Sequence, residues 1–187
     1  MPLGLGLSDY PYPMNLIQAR RTDTLDIGAG GATITQDFTK PFPAATAKKL
    51  AKKYGSIVCM CCTYDVFVQG DGKGIVLQAW KNARDILSSD GVFTFSVAFN
   101  GLKSLFTFFQ MKGTFPSSVH SPMFPKVRDA VHRKLARYMQ KLGMFRAMTK
   151  KEVVDMYVRG YKVERDQVRQ YTEPRNNPNR FLYFVRA

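Results

Sequence analysis

The stretch Val92-Phe93-Thr94-Phe95-Ser96-Val97-Ala98-Phe99-Asn100-Gly101-Leu102 carries the densest local signal in the chain. Large apolar residues alternate with smaller or polar ones as far as Phe99, the period of a strand with one buried face. Asn100-Gly101 is a pair that accepts positive φ at both positions of a tight turn. Leu102 to Met111 is aromatic-rich and is predicted to return as the partner strand. A central aromatic hairpin sets the expected class: α+β, with a mixed or antiparallel sheet and three to four helices packed on it.

Working back from the hairpin, Val76, Ala79, Trp80, Ala83 and Leu87 fall at steps of three and four, which predicts a helix over 75–87 with the only tryptophan on its core face. Gly70-Asp71-Gly72-Lys73-Gly74 precedes it. This loop fits neither G-x-x-x-x-G-K-[ST] nor G-x-G-x-x-G and reads as a strand-to-helix turn. Ile57 to Val68 is β-branched, aromatic and cysteine-rich, as in a buried strand. Ala44 to Tyr54 consists of helix formers stopped by Gly55, and Ala32 to Phe38 is expected as a strand. Residues 1–31 are rich in Gly, Pro and turn formers and read as an extended N-terminal arm on a single basic domain over 32–187.

Working forward, Pro125 suits a first helical turn, and Val127, Ala130, Val131, Leu135, Tyr138, Met139 and Leu142 trace one helix face up to Gly143. Thr149 and Glu152 have the spacing of a capping box for a helix ending at Gly160. Tyr161 to Val168 is expected as a polar edge strand and Phe181 to Val185 as a final strand.

The 187 residues carry a net charge of +14. Ten basic and eight acidic residues in 1–90 leave +2, while eighteen and six in 91–187 leave +12, so the positive field belongs to the second half. Its most ordered part is the helix beginning near Lys126. There Arg133, Arg137 and Lys141 recur at i, i+4, i+8, flanked by Lys126, Arg128 and Lys134, with Lys150 and Lys151 following. Like charges at that spacing destabilise a helix unless an anion neutralises them, which predicts an anion- or nucleic-acid-binding face; a solvated charged face is the plain alternative. Tyr138, Tyr157, Tyr161 and Tyr171 could stack on single-stranded bases or simply pack.

No apolar run reaches the length of a spanning helix, the first twenty residues lack a secretory pattern, and Met1-Pro2 excludes myristoylation; a cytosolic chain is expected. Cys59, Cys61 and Cys62 form an odd cluster with no further ligands at zinc-site spacing and are expected as reduced, buried thiols. His120 and His132 stand apart, acidic residues are scattered, and no G-x-S-x-G or H-E-x-x-H occurs. The chain is therefore expected to be no enzyme, without cofactor, metal or small-molecule substrate.

Tyr12-Pro13-Met14-Asn15-Leu16 in the arm reads Y-P-x-x-L, with Tyr12, Pro13 and Leu16 fixed, and looks like the peptide by which enveloped viruses recruit the host budding machinery. Arm, strand, the Lys40-Pro41-Phe42 turn, helix, apolar strand and a basic second half follow in an order that resembles rhabdovirus-type matrix proteins over 8–110. That resemblance implies a viral structural protein that self-associates, binds nucleocapsid RNA or anionic membrane, and is peripheral in the host cytoplasm or virion. The rival expectations are a basic RNA-binding protein, such as a nucleoprotein, silencing suppressor or organellar ribosomal protein, and a basic linker for acidic protein subunits.

Overall fold

The computed structural model describes residues 2–5, 23–26, 32–59, 74–169 and 180–187. Numbered in chain order, the strands are β1 Pro2–Leu5, β2 Asp23–Asp26, β3 Ile34–Thr35, β4 Tyr54–Cys59, β5 Leu87–Ala98, β6 Arg146–Ala147 and β7 Arg180–Arg186. The helices are α1 Ala44–Leu50, α2 Leu77–Ile86, α3 Phe99–Phe108, α4 Phe124–Lys141 and α5 Lys150–Asp155, the last running into a π-helical turn, Met156–Gly160.

All seven strands form one mixed sheet in the order β3-β2-β1-β4-β5-β7-β6, so the expected α+β class with a mixed sheet is what the chain adopts. β1 pairs in parallel with both β2 and β4, β2 with β3, and β4 with β5. Only β7 runs against its neighbours β5 and β6. Strands β1 and β2 fall inside the span expected as a mobile arm. They are short, and their Gly, Pro and Asp content hides them from a propensity reading.

The hairpin is not formed. β5 is a central strand: Val92 through Val97 are all buried, including Thr94 and Ser96, so the alternation of side-chain size does not mark a wet and a dry face. Asn100-Gly101 lies within α3, where Leu102, Leu105 and Phe106 bury at helical spacing. The same aromatic run satisfies a period of 3.6 as well as 2, and packing selects the helix. α1 is shorter than expected, ending at Leu50, because Lys52 adopts φ 53° and turns the chain into β4. Residues 161–168 form no strand.

The core lies between the sheet and α2, α3 and α4. Trp80, fully buried on α2, makes edge contacts with Phe93, Phe95 and Phe145 at 5.6, 5.2 and 5.9 Å. Asn82 on the same helix donates from Nδ2 to the carbonyls of Phe38 and Lys40, both at 2.8 Å, which fixes the turn ahead of α1. Gly74, at φ 144°, lets the chain approach Phe108; a Cβ there would lie 3.3 Å from the ring.

The capping box of α5 forms as expected. The Glu152 amide donates to Thr149 Oγ1 at 3.2 Å and the Thr149 amide to Glu152 Oε2 at 2.8 Å. Arg146 adds a two-pronged pair to the same carboxylate at 2.6 and 3.1 Å. The Arg146 guanidinium and then the Thr149 amide hold the Glu152 carboxyl down at about 2, against an ordinary 4.5. Because the folded-state value is depressed, its contribution is complete above pH 4.5 and is lost as pH falls through 2. Solvent reaches the carboxylate, so the expected loss is about 1 kcal/mol. Urea unfolding between pH 5 and 2 checks it, Glu152→Gln lacking that part of the slope.

Candidate functional site

From β1 the chain travels outward through β2 to β3, then returns to form β4 on the other side of β1. The direction of strand order therefore reverses between β1 and β4. In an open parallel sheet the carboxyl ends of the two strands at such a point leave a crevice, because their following connections diverge. The register brings these ends level: Leu5 pairs with Leu25 of β2 and Cys59 of β4, and Cys59 pairs with Phe95 of β5. Phe95 pairs with Tyr183 of β7, completing one row across five strands.

The opposite ends of these strands are tied by charge. Asp23, 1% exposed at the start of β2, accepts from Tyr54 Oη at 2.9 Å and Lys53 Nζ at 3.2 Å. Tyr54 is fully buried at the start of β4, so the contact reaches past β1 and fixes the two flanking strands in height. Cys59 forms a disulfide, which corrects the reduced thiol expected there; Cys61 and Cys62 lie outside the described residues.

Further along the row is a cavity of about 230 Å³ between α4 and the sheet. Trp80, Phe95, Met139 and Met148 supply apolar wall, and His132 and Tyr183 are its ring-bearing polar residues. The His132 and Tyr183 rings meet edge to face, centroids 3.5 Å apart. His132 Nε2 and Tyr183 Oη are both buried without a hydrogen-bond partner among the described residues. Burial, and then the charges of Arg128 and Arg133, push the His132 imidazole down to about 2, so it is neutral at ordinary pH. Sequence reasoning missed this pair, since nothing local connects position 132 with position 183.

The cations singled out from the sequence lie elsewhere. Lys126, Arg133, Lys134, Arg137 and Lys141 are exposed along α4, and Lys150 and Lys151 are exposed in the first turn of α5. Arg128 is engaged by Asp129 at 2.9 Å. Tyr138 packs its ring against Phe108 and Phe109, and Tyr157 is fully buried with Tyr161 against it, so these three are packing residues and not stacking platforms. Tyr12, Pro13, Leu16, Tyr171 and the Gly70–Lys73 part of the loop lie outside the described residues. Among the described residues no group of three or more His, Cys, Asp or Glu could hold a metal, and no helix is long and apolar enough to cross a membrane.

No protein-family model matches the sequence, and no curated protein matches it. Solved structures do. The chain is similar to the plantazolicin methyltransferase BpumL in complex with SAH, at 10% identity and a TM-score of 0.47, covering 99% of this chain and 74% of that one. It is also similar to BpumL in complex with a triazolic desmethylPZN analog and SAH, at 14% identity and a TM-score of 0.43, covering 99% and 75%. The matrix-type reading, with its non-enzymatic role, its RNA or membrane partner, its self-assembly and its budding motif, is withdrawn, and the strand order is the finding that overturns it. The RNA-binding and linker rivals, also non-enzymatic, go with it. The resemblance rested on an order of elements in which 1–31 was an arm, and β1 and β2 within that span belong to the parallel part of the sheet.

Proposed function

We propose that the chain is an enzyme that binds an S-adenosyl cofactor at the carboxyl ends of β1 and β4 and transfers its methyl group. One observation carries the reading: the order β3-β2-β1-β4-β5-β7-β6, with its reversal between β1 and β4. A crevice at such a reversal accepts nucleoside-type ligands, with glycine at the first strand's end admitting the ligand close to the backbone and an acidic residue about twenty positions on taking the ribose hydroxyls. This chain has the residue types in that order: Gly4 and Leu5 close β1, Gly6 follows in the sequence, and Asp26 is the last residue of β2. A carboxylate suits a vicinal diol because it accepts from both hydroxyls. When bound, the cofactor would supply an electrophilic methyl group on sulfur. The chain's own part is to hold the adenosine end rigidly and to keep water from the transfer path. No residue of the chain dictates methyl over another transferred group, and binding of the cofactor decides it.

Isothermal titration of the protein with SAH and with S-adenosylmethionine tests the reading. Saturable binding of both is expected. Asp26→Ala is expected to weaken each by about ten- to a hundredfold, the range for a lost hydrogen bond to a charged group, with the unfolding midpoint unchanged. If neither compound binds, or Asp26→Ala binds as well as the parent, the proposal fails.

A further inference from the structure

We infer that the cavity between α4 and the sheet is a binding site for one neutral aromatic ring bearing a hydrogen-bonding substituent, of the size of a phenol or an indole. Four observations converge on that class. The wall is aromatic and thioether at Trp80, Phe95, Met139 and Met148, and such surfaces favour a flat, polarisable ring through edge contacts and sulfur contacts. The volume, about 230 Å³, suits one substituted ring, given that a cavity of about 150 Å³ holds benzene. Two residues of the wall carry buried polar atoms with no partner among the described residues, His132 Nε2 and Tyr183 Oη, and a substituent that pairs with them removes a desolvation penalty that the protein otherwise bears. Finally, the imidazole is neutral and offers no charge to an anion, while Arg128 and Arg133 beside it disfavour a cation.

The site is separate from the proposed cofactor crevice. Tyr183 stands on the same cross-strand row as Cys59 but two strands away, roughly 10 Å at the usual strand spacing. It therefore stands whether or not the cofactor reading does. The ring could come from a free small molecule or from a tyrosine or tryptophan side chain of a peptide, and the experiment separates these.

The test is calorimetric titration with p-cresol and indole, with toluene and benzoate as controls, and with N-acetyltyrosinamide as the peptide arm. p-Cresol or indole is expected to bind at least about tenfold tighter than toluene, the worth of one buried hydrogen bond, and benzoate is expected to bind least. Tighter binding of N-acetyltyrosinamide than of p-cresol assigns the ring to a peptide, and the reverse assigns it to a free ligand. Tyr183→Phe should narrow the gap between p-cresol and toluene, with His132 Nε2 left as the one partner of the hydroxyl. Ala136→Leu, which fills the cavity from α4, should abolish binding of both rings while the far-ultraviolet circular dichroism stays unchanged. Equal affinity for toluene and p-cresol, binding of benzoate as tight as p-cresol, or no binding of any ring overturns the inference.

Discussion

Trp80→Ala is expected to lower the stability of the protein by about 3–5 kcal/mol, the range for removing a large aromatic from a packed core. The indole is fully buried and meets three phenylalanines edge on, two from β5 and one from the chain ahead of β6. Its removal therefore withdraws one surface from several contacts at once, and α2 loses its seat on the sheet. Against a total stability of about 5–15 kcal/mol typical of a domain, this loss is a large fraction of the whole. Trp80→Phe, which keeps a ring in the same place, should cost less than half as much. Urea titration followed by circular dichroism measures both, and a loss under about 1 kcal/mol for the alanine variant would contradict the position given to this side chain.

Asp23→Ala is expected to cost about 3 kcal/mol, because it leaves a buried hydroxyl on Tyr54 and a partly buried ammonium on Lys53 without the carboxylate they share. Lys53 can turn toward water, being about a quarter exposed, so most of the loss belongs to Tyr54. Asp23→Asn keeps an acceptor for the phenol and should lose less. Tyr54→Phe should be milder again, and a double-mutant cycle between positions 23 and 54 should return a coupling of about 1–2 kcal/mol. Additive single effects would show that the two side chains do not cooperate.

What the sequence disclosed follows from how local each signal is. The face of α4, the core position of Trp80 on α2, the capping box of α5 and the strand β7 all rest on spacing within one element, and each was readable. The strands β1 and β2 were not, because four residues carry too little pattern and their place in the sheet depends on partners far along the chain. The Gly4 and Asp26 pair became a candidate only once the strand order put both beside the reversal; without a strand before it, Gly4-Leu5-Gly6 is a turn-like tripeptide. The basic stripe of α4 was legible as a pattern. Its cations stay in solvent, while His132 on its inner side lines the cavity against the sheet.

The reversed strand β7 has a consequence for the order in which the molecule can be built. It is the last of the described strands, yet it lies between β5 and β6 and not at the rim of the sheet. Until residues 180–186 leave the ribosome, β5 has a bare edge along Val92 to Ala98, a mostly apolar run whose residues from Val92 to Val97 are buried in the finished protein. A nascent chain halted short of this point would present that edge to any other strand nearby. Pairing of β7 thus closes an edge that β5 would otherwise offer to a foreign strand.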